Sequence, residues 1–258
     1  MKQLSSVERT LADGIDQAAM LAQVERWSAI NSGTRNLPGL ARQASELAEA
    51  FAALPGAVEL LDPAPVTAVD VAGNEVALDH GKHLVLRVRP DAGRRFLLTG
   101  HMDTVYPADH PFQSGTWLDE DTLNAPGAAD MKGGIAVILH ALSAFETSPA
   151  AASVGYDVLI NSDEETGSLA SAPLIADLAR GKFAALTYEP SALPDGTLAH
   201  ARGGSGNYSL VVTGRSAHAG RNPEDGRNAI VAAAALAVAL KALSHAELSV
   251  NPARIDGG

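Results

Sequence analysis

The sequence predicts an α/β protein with a mixed, largely parallel sheet covered by helices on both faces, followed by the start of a smaller α+β unit. Two observations predict it. Between residues 96 and 188, the short apolar runs Phe96-Leu97-Leu98-Thr99, Tyr156 to Ile160 and Phe183 to Tyr188 alternate with helical patterns at Ile135 to Phe145 and near Leu169 to Leu178. That is the rhythm of strands buried between two helical layers. After Ala201-Arg202-Gly203-Gly204 the rhythm changes: Tyr208, Leu210 and Val212 alternate with Ser209, Val211 and Thr213, and one helical pattern follows from Asn228 to Leu243. The alternation reads as a strand and the longer pattern as a helix. A boundary near Arg202 thus divides a first domain, 1–202, from a partial second one, 203–258.

Along the chain, Ser5-Ser6-Val7-Glu8 forms a capping box, and Val7, Leu11, Ile15, Val24, Trp27 and Ile30 follow at helical spacing, which predicts one long first helix. A second helical pattern runs from about Leu40 to Leu54 and stops at Pro55-Gly56. Residues Val58 to Val88 read as several short strands, with turns at Gly73-Asn74 and Gly81. The strand and helix alternation described above then takes over. Gly203-Gly204-Ser205-Gly206 lacks the lysine and spacing of a phosphate loop and reads as a hinge.

Composition narrows the chemistry. Of the 258 residues, 30 are acidic and 19 basic, a formal charge of -11, so the chain lacks the basic footprint of a nucleic-acid or anionic-membrane binder. A small molecule or peptide is the expected partner. With no cysteine present, any metal must be held by histidine and carboxylate. The N-terminal residues carry no apolar stretch of signal-peptide length, and the run Ala229 to Leu243 is too short to cross a bilayer core of about 30 Å, so a cytoplasmic protein is expected.

Three predicted strands end in metal-binding residue types. The strand at Phe96 runs into Gly100-His101-Met102-Asp103, the strand at Val158 into Ser162-Asp163-Glu164-Glu165, and the strand at Ala184 into Glu189-Pro190. A fourth element, Gly127 to Gly134, sets Asp130 in a glycine-flanked loop before a helix. Ligand sites in parallel sheets collect beyond the C-terminal strand ends, so these groups converge on one rim. Each motif alone reads as a surface pair or a solvated acidic turn. Together and in order they are bunched carboxylates, which stay together only with a cation between them or by taking up protons.

The blocks His101-Met102-Asp103-Thr104-Val105-Tyr106-Pro107, Gly127-Ala128-Ala129-Asp130-Met131-Lys132-Gly133-Gly134, Asn161 to Ser168 and Tyr188-Glu189-Pro190-Ser191 resemble, in order and spacing, the signatures of the M20 family of two-zinc peptidases and amidohydrolases, nearest to its glutamate carboxypeptidases. The likeness runs from about Trp27 onward and implies a zinc-exopeptidase fold with an inserted lid or dimerisation domain. Ser216-Ala217-His218-Ala219-Gly220 is similar to that domain's Ser-His-Ala-Gly block. The resemblance implies that His101 and Glu189 bind zinc, that Asp130 bridges two ions, and that Glu165 binds the second. It further implies Glu164 as general base, Asp103 as the carboxylate orienting His101, His218 as a substrate-binding residue from a partner subunit, and a cis bond between Asp130 and Met131. Two Zn2+ ions, or Co2+ or Mn2+ in their place, are the implied cofactors.

The family's chain is longer, and its lid continues past the point where this sequence stops at Gly258. A truncated product is therefore expected, without the family's last histidine ligand and the lid arginine, and with uncertain activity of its own. Asn124-Ala125-Pro126 also departs from the aromatic and glycine found in many relatives. The expected reaction is hydrolysis of a peptide or amide bond next to a free carboxylate, with homodimerisation through the lid in the complete protein. The alternatives are an N-acyl-amino-acid deacylase of the acetylornithine deacetylase or succinyl-diaminopimelate desuccinylase type, and an inactive scaffold.

Overall fold

A computed structural model describes residues 4–191, 193, 195–199 and 203–257. These residues fall into two compact units: the described residues of Met1–Val66 with Asp79–Gly204, and those of Thr67–Leu78 with Ser205–Gly258. The boundary expected at Arg202 lies outside the described residues.

The first unit opens with α1 (Ser6–Asp13), α2 (Gln17–Ser28) and α3 (Leu37–Phe51). The capping box is present, with Ser5 Oγ accepting from the Glu8 amide at 3.2 Å and Glu8 accepting from the Ser5 amide at 2.7 Å. The single long first helix is not. Gly14 ends α1, and Asp16 caps a new helix by accepting from the Ala19 amide. Glycine costs helix stability, and a short acceptor two residues later offers a competing start. Asn36 caps α3 in the same way, with Pro38 in its first turn.

The strands of this unit are β1 (Ala57–Leu61), then, after the hairpin strands β2 (Thr67–Val69) and β3 (Glu75–Ala77) that group with the second unit, β4 (His83–Val88) and β5 (Arg94–His101). A small hairpin, β6 (Thr116–Trp117) and β7 (Leu123–Asn124), precedes α4 (Gly133–Glu146), β8 (Val154–Asn161), α5 (Ala172–Ala179) and β9 (Ala184–Thr187). The five-stranded sheet has the order β1-β4-β8-β5-β9. Only β4 runs against the rest: it pairs antiparallel with β1 and β8, while β5 pairs parallel with β8 and β9. The sheet is mixed, with four of its strands pointing one way.

Both faces are covered. Leu84, Leu86 and Val88 of β4, Leu98 of β5 and Val158 and Ile160 of β8 pack with Trp27, Leu40, Leu47 and Phe51 from α2 and α3 and with Ile135, Ile138 and Leu142 from α4. Val85, Leu97 and Leu159 face the other way, onto Leu174, Ile175 and Leu178 of α5. The chain leaves β5 toward β8 over one face and returns from β8 past β5 to β9 over the other, as right-handed crossovers require. The loops after β5 and β8 therefore part from each other and open a crevice, where such folds bind ligands. Helix α4 is strongly apolar because it is core: at 1.5 Å per residue its 14 residues reach about 21 Å, short of a bilayer core.

In the second unit, α6 (Ala229–Lys241) is capped by Asn228, whose side chain accepts from the Val231 amide at 3.0 Å. The strand expected at Asn207 to Thr213 does not form: among the described residues nothing pairs with it, and Tyr208, Leu210 and Val211 stand exposed. A period-2 pattern specifies a face, but a strand exists only through ladder hydrogen bonds to a neighbour.

Candidate metal centre

The site is built where β5, β8 and β9 end. His101 closes β5 and is 1% exposed, with its ring held between carboxylates. Its Nδ1 lies 3.0 Å from the backbone oxygen of Asp103 and 3.4 Å from that residue's Oδ1. Its Nε2 lies 3.0 Å from Asp130 Oδ1, 3.6 Å from Glu189 and 3.9 Å from Glu164. With oxygens at both nitrogens, the metal-free ring carries two protons and donates both. Burial works against that charge, but the hydrogen bonds and charges of Asp103 and Glu189 outweigh it and raise the His101 pKa to about 11.

Asp103 organises the centre from beneath. It is fully buried, accepts from Thr34 Oγ1 at 2.7 Å, and takes the backbone amides of Glu164 and Glu165 at 3.2 Å each. One carboxylate thus orients the histidine and anchors the short turn Glu164–Thr166 that follows β8. Asp163 points inward instead, accepting from the amides of Ala170 and Ser171, so the three acidic residues 163 to 165 divide between loop scaffold and rim. Neither Thr34, 69 residues from its partner in sequence, nor the inward turn of Asp163 was legible beforehand; only the Ser162-Asp163 step out of a buried strand hinted at the latter.

Asp130 reaches the rim from the loop before α4. The peptide bond between Asp130 and Met131 is cis, matching the expectation. Its two residues leave helical geometry, at φ -120° and -132°, and the three side chains from 130 to 132 diverge. Asp130 faces His101; Met131 is buried, with its sulfur accepting from the His101 amide at 3.2 Å; Lys132 turns toward α2. A β-carbon on Gly134 would stand 2.1 Å from the backbone oxygen of Tyr188, so only glycine lets α4 come this close to the segment carrying Glu189.

Two overlapping triplets could each hold an ion: His101, Asp130 and Glu165, and His101, Glu164 and Glu189, with the ligand atoms of each lying within 4.8 Å of one another. All four residues expected as ligands converge, and so does Glu164, which geometry alone does not separate from them. Burial first, then Asp130, Asp103 and Glu164, push the Glu165 carboxyl up to about 7; burial and the same neighbourhood also raise Glu164. One imidazole and several carboxylates, without thiolate, form a donor set suited to zinc, manganese or cobalt, and a divalent ion would relieve their repulsion. His218 lies in the second unit, exposed, its Nδ1 accepting from the Gly220 amide at 3.1 Å. An apolar groove of about 400 Å³ lined by Phe96, Leu98, Leu142, Phe145, Leu186 and Tyr188 lies against α4.

The sequence profile of Peptidase family M20/M25/M40 matches residues 97–253, a stretch that contains every one of these rim residues. The chain belongs to that family. Among its M20 relatives, Carboxypeptidase G2 of Pseudomonas sp. (strain RS-16) is 33% identical over 225 residues, 86% of this chain and 50% of that protein. Acetylornithine deacetylase of Proteus mirabilis (strain HI4320) is 32% identical over 158 residues, 58% of this chain and 38% of that one. This M20 chain therefore spans about half the length of the relatives it matches, or less. Human carnosine dipeptidase 1 shares the fold, with a TM-score of 0.56 at 20% identity, over 72% of this chain and 41% of that one.

Proposed function

We propose that the protein is a metal-dependent hydrolase that cleaves a peptide or amide bond next to a free carboxylate. The observation that carries this reading is the convergence of His101, Asp130, Glu165 and Glu189 on one rim, with Glu164 beside them. His101, Asp130, Glu165 and Glu189 would hold two zinc ions, which when bound supply Lewis acidity for polarising the scissile carbonyl and activating water. Asp103 keeps the His101 ring in place through Nδ1. Glu164 takes the proton of the attacking water and returns it to the leaving amine; a carboxyl raised above its ordinary range by burial suits that exchange. We assign His218 to substrate binding from a second copy, in a dimer formed through the second unit.

Similarity to a carboxypeptidase over 86% of the chain supports this substrate class, and similarity to a deacetylase over a shorter stretch supports the second reading, removal of an N-acyl group from an amino acid. The test is a hydrolysis screen, with and without added Zn2+, of C-terminal glutamyl peptides against N-acetyl and N-succinyl amino acids. Zinc-dependent turnover that falls roughly 10²- to 10⁴-fold in Glu164→Gln, with bound metal retained, is the expected outcome. Stoichiometric metal with no turnover of either class would favour the inactive scaffold.

A further inference from the structure

We infer that Lys132 is a positioning residue for the metal centre: its buried amino group, by donating two hydrogen bonds, pins the loop bearing Asp130 to the segment that supports Asp103 and, through it, His101. The inference rests on the proposed metal centre and extends it to a residue that touches no ligand atom.

Lys132 is 1% exposed, and its Nζ donates to two backbone carbonyls, Trp27 O at 3.0 Å and Ile30 O at 2.8 Å. Both lie where α2 ends, so Nζ sits against the negative end of a 12-residue helix, adding a second donor to Trp27 O, which also accepts from the Ile30 amide at 3.1 Å. No carboxylate takes part in these bonds. A lysine whose work was general solvation or surface pairing would keep its head in water.

From those carbonyls the chain runs directly to the site. Ser32 O accepts from the Thr104 amide at 3.0 Å, the Thr34 amide donates to Thr104 O at 3.2 Å, and Thr34 Oγ1 holds Asp103. At its other end Lys132 is two residues from Asp130, and its own amide donates to Gly127 O at 2.8 Å. Its aliphatic stem runs past Gly127, where a β-carbon would stand 3.3 Å from Lys132 Cε and 2.7 Å from Thr104 Cγ2. Gly127 is left-handed at φ 67°, so the turn that returns the chain to Asp130 is shaped around this stem. The two frames of the centre, His101 with Asp103 and the loop with Asp130, thus share one anchor, whose two hydrogen bonds meet carbonyls at a helix end rather than the rim.

The test uses Co2+ as the probe, read by its visible absorption and by competition with a chromogenic chelator, on the 258-residue chain. Lys132→Met keeps the stem and removes the donors; Lys132→Arg keeps a cation with donors; Leu178→Ala opens a cavity on the opposite sheet face and controls for lost stability. The expected result is a Co2+ affinity lower by roughly 10- to 100-fold and an altered spectrum in Lys132→Met, the range found when groups that orient ligands are removed. Lys132→Arg should recover most of the affinity, and Leu178→Ala should keep the wild-type spectrum. Wild-type affinity and spectrum in Lys132→Met would overturn the inference alone. So would an equal loss in Lys132→Arg or in Leu178→Ala. Failure of the unmutated chain to take up Co2+ would overturn the metal-centre reading and this inference together.

Discussion

His101 Nε2 lies 3.0 Å from Asp130 Oδ1, although the two residues come from different elements, the end of β5 and the loop before α4. Without a cation this contact is an ion pair in which the ring supplies the positive charge. A metal entering the rim must displace that proton, so uptake releases protons and apparent affinity rises with pH.

Asp103→Asn should weaken metal binding by roughly 10- to 100-fold. The amide is isosteric but uncharged, and its nitrogen cannot accept from His101, Thr34 or the amides of Glu164 and Glu165, all of which face this side chain. Chelator competition measures the loss, and an unchanged affinity would contradict the orienting role.

The metal-free protein should lose stability as pH rises. Glu165 is held up at about 7 by burial and the neighbouring carboxylates. His101 is held up at about 11 because Asp103 and Glu189 outweigh burial. In both cases the fold binds the proton more tightly than the unfolded chain does, so the contribution is complete below the unfolded values, about 4.3 and about 6.5, and fades through 7 and then toward 11. Melting temperatures in EDTA should fall between about pH 5 and about pH 10, and added Zn2+ should flatten the trend. A Tm that climbs with pH in EDTA would refute the assignment.

These behaviours separate what was legible in the sequence from what was not. His101, Glu164, Glu165 and Glu189 could be read because each ends or follows a strand, and strand ends in a parallel sheet share one side; Asp130 was marked instead by its glycine-flanked loop before a helix. The break between α1 and α2 was hidden because Leu11, Ile15 and Val24 keep helical spacing across it, while Gly14 and Asp16 act only locally. The alternation at residues 207 to 213 suggested a strand, yet pairing depends on distant residues that no local pattern reports. The buried supports Thr34 and Lys132 left no mark, and Asp163 only the hint of its step out of a buried strand, because burial of a polar side chain is decided by whatever packs over it.

Gly134→Ala should destabilise the fold by about 1–3 kcal/mol and disturb the centre as well. The added methyl meets the backbone of Tyr188, which cannot swing aside as a side chain would, and the next residue is Glu189. Chemical denaturation together with metal affinity checks both; a drop in stability alone would show that the shift stops short of Glu189.

Lys182→Met should cost about 3–5 kcal/mol, because Lys182 Nζ lies 2.7 Å from Asp157 Oδ2 and both side chains are about 5% exposed, leaving an uncompensated buried charge. Metal affinity should hold, since the pair lies away from the rim. Urea titration gives the first quantity, and a large loss of metal would contradict the second.

Asp103 serves two masters, the imidazole on one side and the turn bearing Glu164 on the other. Attempts to retune such a centre, by selection or by design, meet a shared hinge pin: a change at Asp103 that shifts the His101 ring also shifts the turn bearing Glu164. New preferences for ion or substrate are more readily gained by altering the outer loops than by altering this carboxylate.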